Sequence, residues 1–140
     1  FAGFFGCIKT NKYQSDLSAK EIIFALPGKD IRFTVEVFDT ERKRQVGLMY
    51  RKTMPKDHGA LFVFPELKNH VFWMKNTFLY LDMIFFDDDF KVVGVIERAQ
   101  PHSLKGLSIN KDSRYVLEVL AGAVKEYGIN IDTRARFTRE

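Results

Sequence analysis

Residues 81–96 carry the clearest fold signal in this chain, because Leu81–Phe86 (LDMIFF) and Lys91–Ile96 (KVVGVI) flank the polar segment Asp87–Phe90 (DDDF). Two short apolar runs separated by turn residues predict a β-hairpin. Further strand patterns lie on both sides of this hairpin, some as apolar runs and some as strict alternation of apolar and polar residues. They cover residues 22–26, 33–37, 61–64, 71–74, 114–119 and 134–137.

Only two short helices are predicted. The first begins at a cap on Asp39 or Thr40 and carries an apolar stripe with helical spacing. The stripe consists of Val46, Met49 and Tyr50. Gly47 is unfavourable inside a helix, so it indicates a close packing contact. The second helix covers residues 121–127 and stops at Gly128.

Many short strands with two small helices predict an all-β fold, either an antiparallel sandwich or a jelly-roll-like barrel. The helices are too few to connect parallel strands. We expect the core to consist of apolar residues from the strand patterns: Phe33, Val35, Val37, Leu61, Val63, Phe72, Met74, Ile84, Val93, Leu117 and Val119.

The chain has 140 residues, 46% of them hydrophobic, which suits one domain with a substantial core. Residues 1–20 lack periodicity, so we expect an export-signal remnant and tether there and a single domain over residues 21–140. The net charge is +4. Because the basic residues are scattered, whereas nucleic-acid binding requires a clustered basic patch, we expect no nucleic-acid partner. We also expect a monomer.

Cys7 is the one cysteine in the chain, which excludes an intrachain disulfide. It follows the apolar segment Phe1–Gly6 and precedes the polar stretch Lys9–Asp16. This order is typical of an export signal that ends at a lipid-modified cysteine, and we expect further residues upstream of Phe1. The alternative is a free cysteine in a disordered N-terminal segment. The sequence therefore predicts an exported protein, periplasmic or lipid-anchored in the cell envelope, with membrane attachment through Cys7 only.

No pattern for a metal site or for covalent catalysis is present in the sequence. The three histidines lie far apart, and the acidic run of residues 87–89 lacks the Gly and the final Glu of a calcium loop. Ser103 directly follows His102, which places their side chains on opposite faces of an extended chain. We therefore predict no metal and no cofactor.

The most informative polar segment is Phe72–Thr77 (FWMKNT), in which an aromatic run leads directly into three polar residues. Asp82 follows within an apolar strand, where a charge requires a partner, and Lys75 and Arg51 are the candidates. One interpretation is a polar ligand pocket at one end of the sheet. Its ligand-binding residues would be Arg51, Lys75, Asn76, Thr77 and Asp82. The other interpretation is a structural turn in which Lys75 pairs with Asp82.

Several segments in a fixed order resemble one protein family. They are Gly47–Arg51 (GLMYR), Leu61–Phe64 (LFVF), Phe72–Thr77 (FWMKNT), Leu81–Phe85 (LDMIF), Leu117–Glu118 and Ala121–Gly122. Over about residues 31–137 the chain resembles the family called domain of unknown function 192. The resemblance implies a small β-sandwich-like protein that often carries an export signal or a lipid anchor, in agreement with the interpretation of Cys7. It implies no catalytic residues.

The chain departs from the family pattern at four places. Ala60 replaces a usual Met, Tyr80 a usual Pro, Phe90 the Gly of the hairpin, and Asp132–Thr133 a usual Gly-Asp pair. The turns after Thr77 and near the C-terminus are therefore expected to differ from the family pattern.

Three functions follow from these features. The first is a non-enzymatic binding module of the cell envelope for a small polar or anionic ligand or a partner protein, in which Arg51 and Lys75 donate charge-assisted hydrogen bonds. The second is a small enzyme that uses acid–base chemistry at Asp82 and Lys75, with Glu118 as a further candidate, and it requires Asp82 to lie in a cleft. The third is a structural envelope protein without a ligand.

Overall fold

The computed structural model describes residues 20–139, which form one seven-stranded sheet and two short helices. The strands are β1 (Lys20–Leu26), β2 (Lys29–Phe38), β3 (His58–Lys68), β4 (Leu81–Phe86), β5 (Val92–Ala99), β6 (Ser113–Leu120) and β7 (Ala135–Arg139), and the helices are α1 (Glu41–Val46) and α2 (Ala123–Tyr127). Across the sheet the strand order is β5-β4-β6-β3-β2-β1-β7. The predicted mostly-β fold with two short helices is confirmed.

One strand pair corrects the prediction of a wholly antiparallel arrangement. Strands β2 and β3 run parallel, with Val35 opposite Gly59, whereas the other pairs are antiparallel. Parallel neighbours require a crossover of a dozen or more residues, and residues 39–57, which include α1, provide it. An isolated bridge between Lys91 and Arg134 joins segments next to the two outer strands, so the sheet curls strongly without closing.

Both faces of the sheet are covered. Because successive residues of a strand face opposite sides, alternate residues supply two separate cores: Leu117 and Val119 belong to the first, and Val116 to the second. Helix α2 closes the first core, while loop segments pack over the second through residues such as Leu48 and Met74. A polar residue on the second face of β6 is therefore not directed into solvent.

The predicted core is largely confirmed. Val63, Phe72 and Val93 are partly buried, and the other predicted core residues are buried. The three partly buried residues still pack against one of the two cores.

Helix α1 is shorter than the sequence predicts. The hydroxyl of Thr40 caps it, as expected, and it ends directly before Gly47. Gly47 has φ 50° and ψ −130°, a conformation that residues with a Cβ rarely adopt, and a Cβ there would lie 3.1 Å from Cζ of Phe62. The helical stripe predicted through Met49 and Tyr50 is therefore wrong, whereas the close packing predicted at Gly47 is confirmed.

The strand predicted at residues 71–74 is also wrong. Only Phe72 pairs there, in an isolated bridge with Leu107. The backbone N–H of Met74 donates to the carbonyl of Ser103 at 2.9 Å, so the loop around residues 71–80 lies beside the loop that follows β5. Together these loops cover the second core.

The hairpin of β4 and β5 is confirmed. The conformation of its turn bears on one of the positions where the chain departs from the family pattern. Phe90 has φ 55° at the position where the resemblance implies Gly, and Asp132 likewise has φ 73°. The ring of Phe90 stacks on Tyr115 with 4.1 Å between centroids. This packing offsets the backbone cost of a bulky residue in the left-handed region.

No helix among residues 20–139 has both the length and the apolar character that crossing a membrane requires. Cys7 and the predicted tether up to residue 19 lie outside the described residues, so the predicted lipid anchor stays a prediction.

Candidate functional site

Asp82 is fully buried on β4, and backbone N–H groups satisfy its charge. Its Oδ1 accepts from the N–H of Arg98 at 2.9 Å, and its Oδ2 accepts from the N–H groups of Gly122 and Val124, each at 3.0 Å. The side chain thus joins β4 to the end of β5 and to the start of α2. The pairing of Asp82 with Lys75 or Arg51, which the sequence suggests, is not formed.

Arg51 has an acidic partner of its own. Its Nη1 donates to Oε2 of Glu36 and its Nη2 donates to Oε1 at 3.0 Å, so the guanidinium fork is matched by one carboxylate on β2. Both side chains are partly exposed. This bidentate pair fastens the crossover segment to the sheet.

Lys75 and Asn76 lie in an exposed turn beside Tyr50. The ammonium of Lys75 stands 5.1 Å from the ring centroid of Trp73, at cation–π distance. The side-chain amide of Asn76 donates to the hydroxyl of Tyr50 at 2.9 Å, and the backbone N–H of Tyr50 donates to the carbonyl of Asn76 at 2.8 Å. The turn is therefore held in place mainly by contacts with the segment that follows α1.

Among the predicted ligand-binding residues, only Thr77 lines the cleft that forms the candidate site. This cleft has a volume of about 320 Å³ and opens between α1, β3 and the loop at residues 71–77. We call it the Glu118 cleft. Its lining residues are Glu41, Arg44, Gln45, Val46, Gly47, Leu48, Met49, Phe62, Phe64, Val71, Phe72, Trp73, Met74, Thr77 and Glu118.

Four aromatic side chains line the cleft: Phe62, Phe64, Phe72 and Trp73. Phe72 packs edge-to-face against Phe62 and Phe64, with centroid distances of 5.2 Å and 5.9 Å. At the mouth, Trp73 is 49% exposed and Val71 is 66% exposed. Contiguous exposed apolar groups around a concave site are typical of a surface that binds another molecule.

Glu118 lies at the bottom of this cleft. It is on the central strand β6, between Ala60 of β3 and Met83 of β4, and only 5% of it is exposed. Its carboxyl group has no hydrogen-bond or ion-pair partner among residues 20–139. Burial raises the pKa of Glu118 to about 8, because the charged form loses its hydration. At neutral pH the group is therefore mostly a neutral acid that can both donate and accept a hydrogen bond.

The basic side chain of the cleft does not neutralise Glu118. Arg44 donates from Nη1 to the carbonyl of Val63 at 2.8 Å, and its guanidinium carbon stands 5.4 Å from the ring centroid of Phe64. Arg44 is thus held against the wall of the cleft by a carbonyl and an aromatic face.

From the sequence, Glu118 is predicted only as a further candidate for acid–base chemistry, because its strand reads as an alternating one. The signal that could have identified it is the segment Val116–Leu120 (VLEVL), in which one charged residue interrupts an apolar run. The same rule that drew attention to Asp82 applies there, since a charge within an apolar strand requires a partner or a function.

Metal binding receives no support from the side-chain arrangement. Within the described range, 20–139, no three His, Cys, Asp or Glu side chains are grouped so that they could hold a metal ion.

Comparisons with known proteins place this geometry in a family. The model of the DUF192 family, described as "Uncharacterized ACR", matches residues 23–137. A search of curated proteins found no match. The crystal structure of a proposed transcription regulator from Sinorhizobium meliloti 1021 is similar, with a TM-score of 0.80 and 38% identity over 86% of this chain and 95% of that one.

A second solved structure, a protein of unknown function from Novosphingobium aromaticivorans DSM 12444, has a TM-score of 0.80 at 22% identity. It covers 87% of this chain and 95% of its own, and it shows that the two share a fold. The resemblance noted in the sequence is therefore confirmed: the chain belongs to the DUF192 family.

Proposed function

We propose that this domain is a non-enzymatic binding module that holds a small, largely apolar molecule in the Glu118 cleft. One observation carries the proposal: a carboxyl group without a partner lies at the bottom of an aromatic cleft. Among residues 20–139 the only fully sealed side-chain polar atom without a partner is Ser113 Oγ, so the Glu118 carboxyl opens onto the cleft, where a bound molecule can complete its hydrogen bonds. A cavity of about 320 Å³ suits a ligand the size of a single substituted ring.

We favour binding over catalysis because no neighbouring side chain of the described residues forms a hydrogen bond with Glu118. A general acid or base acts on the reacting atom of the substrate and is commonly held in orientation by a second side chain. No side chain among residues 20–139 bonds to Glu118. The oxygens of Asp82 are occupied by backbone N–H groups, which supports a structural role for Asp82 rather than the acid–base role considered for Asp82 and Lys75.

The residues that line the cleft also limit the charge and polarity of the ligand that can bind there. The sequence suggested a polar or anionic ligand because Arg51 and Lys75 are basic, but Arg51 is paired with Glu36. Glu41 and the ionised form of Glu118 would repel an anion in the cleft, and the aromatic side chains of the lining favour an apolar body. We therefore propose a neutral or cationic ligand.

Trp73 provides a direct test of binding, because it is the only Trp in the chain and lines the cleft. In a screen of small neutral, cationic and anionic compounds, we expect binders to shift the NMR signal of the Trp73 indole N–H. The variant Val71→Asp places a charge at the mouth of the cleft, and we expect it to weaken apolar binders by about tenfold, since desolvating that charge is costly.

Ile131→Asp is the matched control. Ile131 is 53% exposed but is not part of the cleft lining, so this variant should bind like the wild-type protein. Compounds that leave the Trp73 signal unchanged throughout the screen, or that lose the same affinity in both variants, would exclude the Glu118 cleft as a binding site.

We further propose that the module works in the cell envelope and is attached through Cys7. The support is the order of the apolar segment Phe1–Gly6, the cysteine and the polar stretch that follows. In the full-length precursor expressed in a bacterium, Cys7→Ser should move the protein from the membrane fraction to the soluble envelope fraction, with an unchanged circular dichroism spectrum. Mass spectrometry of the mature protein that finds Cys7 unmodified behind its own Phe1–Gly6 segment would refute the anchor.

A further inference from the structure

Within the described structure, the one positive side chain that lines the Glu118 cleft, Arg44, does not pair with the buried acid. Arg44 is bonded to the carbonyl of Val63 and packed on Phe64. The neighbouring strands contribute only Ala60 and Met83 beside Glu118. A ligand that carries a positively charged group would supply the missing partner. The donor and the Glu118 carboxylate would then both be charged, which strengthens the hydrogen bond.

The walls of the cleft also suit a cation with an apolar body. Aromatic faces attract positive charge through their quadrupole, and Trp73 already attracts the ammonium of Lys75 in this way. Three of the four aromatic side chains that line the cleft, Phe62, Phe64 and Phe72, belong to one edge-to-face cluster. Glu41, on the first turn of α1, adds a second carboxylate to the lining.

We propose that the ligand of the Glu118 cleft is a small amine with an apolar, preferably aromatic, body, whose ammonium group pairs with the Glu118 carboxylate. This inference rests on the proposed binding function and specifies its ligand class. The ammonium would lie at the bottom of the cleft and the apolar body against Phe72 and Trp73.

Proton release accompanies this binding. The free protein holds a proton on Glu118 at neutral pH, and an arriving ammonium stabilises the carboxylate, so the proton passes to the buffer while the amine keeps its own. The other charged groups that face the cleft are Glu41 and Arg44 from α1, with Lys75 beside Trp73 on the loop. Affinity for the amine should therefore increase as the pH rises from 6 towards about 8, because less work is needed to remove the Glu118 proton.

The test compares phenethylamine with phenylethanol, which has the same ring and chain but a neutral hydroxyl. Isothermal titration calorimetry of the full chain at pH 8 should show phenethylamine binding at least about tenfold tighter than phenylethanol, as expected for a hydrogen bond between charged groups. Titrations at lower pH in buffers with different ionisation enthalpies should reveal proton release.

Glu118→Gln should abolish the preference for phenethylamine and the proton release. Glu97→Gln, which removes an exposed carboxylate of β5, should alter neither.

Equal binding of both probes, or a preference for phenethylamine that survives Glu118→Gln, would overturn the amine assignment and leave the cleft as a binding site. If neither probe binds while other compounds shift the Trp73 signal, the amine assignment alone fails; if no compound shifts it, the proposed function fails as well.

Discussion

Glu118→Gln is expected to make the protein more stable than the wild type at pH 9 and about equally stable at pH 4. The wild-type side chain must be buried as a carboxylate at high pH, although no partner among residues 20–139 compensates its charge. A glutamine has nearly the same shape and stays neutral at every pH. The difference should appear as a higher urea midpoint for the variant in alkaline buffer.

The size of this effect follows from the difference between the pKa of the Glu118 carboxyl in the native state and its pKa in the unfolded chain. Burial raises the pKa of Glu118 in the native state to about 8, whereas its ordinary value is 4.5. Below pH 4.5 both states carry the proton, and Glu118 has no effect on the pH dependence of stability. Between pH 4.5 and 8 only the unfolded chain ionises, so the free energy of unfolding falls by about 1.4 kcal/mol per pH unit. Above pH 8 the loss is complete and approaches about 5 kcal/mol.

Glu97→Gln is the control for this prediction, because it removes an exposed carboxylate of β5. Its stability should follow that of the wild type across the pH range. If Glu118→Gln also follows the wild type at every pH, Glu118 ionises at an ordinary pKa and is better hydrated than the structure indicates.

Asp82→Ala should strongly destabilise the domain. It removes the acceptors of three backbone N–H groups, those of Arg98, Gly122 and Val124, and leaves them without their partners. An unsatisfied buried donor costs about 1–3 kcal/mol, and because only the bond of Val124 is fully buried while those of Arg98 and Gly122 are partly buried, we expect a loss of about 3 kcal/mol. That is a large fraction of the stability of a typical domain, and thermal unfolding monitored by circular dichroism would measure it.

Asp82→Asn keeps the prediction testable if the alanine variant does not fold. The amide retains one acceptor oxygen but directs an NH₂ group towards N–H donors, so it should cost about 2 kcal/mol. Asp112→Ala, at an exposed loop position, should leave the unfolding temperature unchanged within error. An unfolding temperature of Asp82→Asn equal to that of the wild type would show that the three N–H groups do not depend on this carboxylate.

The strands could be predicted from the sequence because their patterns are local. The runs around Leu81–Phe86 and the alternation of residues 33–37 are visible within a few residues, and the turn at Asp87–Phe90 separates two of them. The cap at Thr40 and the stop at Gly128 are likewise encoded by single residues. Features of this kind do not depend on which segments become neighbours.

The parallel pairing of β2 with β3 could not be predicted in the same way. It depends on how residues 39–57 return across the sheet, and only six of them form a helix. The apolar run at residues 71–74 also reads as a strand, although it packs as a loop against Leu107 and Ser103. Hydrophobic composition shows that such a segment is partly buried, but not what it pairs with.

The candidate site was missed for a related reason. Alternation along β6 places Glu118 on the face opposite Leu117 and Val119, which would be the solvent face of a half-buried strand. In the structure α1 and the loop at residues 71–77 cover that face, and both are distant from Glu118 in sequence. Burial of this carboxyl therefore arises from long-range packing that no local pattern contains.

An NMR titration of the ¹³C-labelled side-chain carboxyl of Glu118, with and without a compound that shifts the Trp73 signal, tests most directly whether Glu118 forms the bottom of a ligand-binding cleft. We expect Glu118 to titrate at about pH 8 in the free protein and its carboxyl signal to move when the compound binds. A carboxyl that titrates near 4.5 and does not respond to the compound would contradict the claim that Glu118 forms the bottom of a ligand-binding cleft.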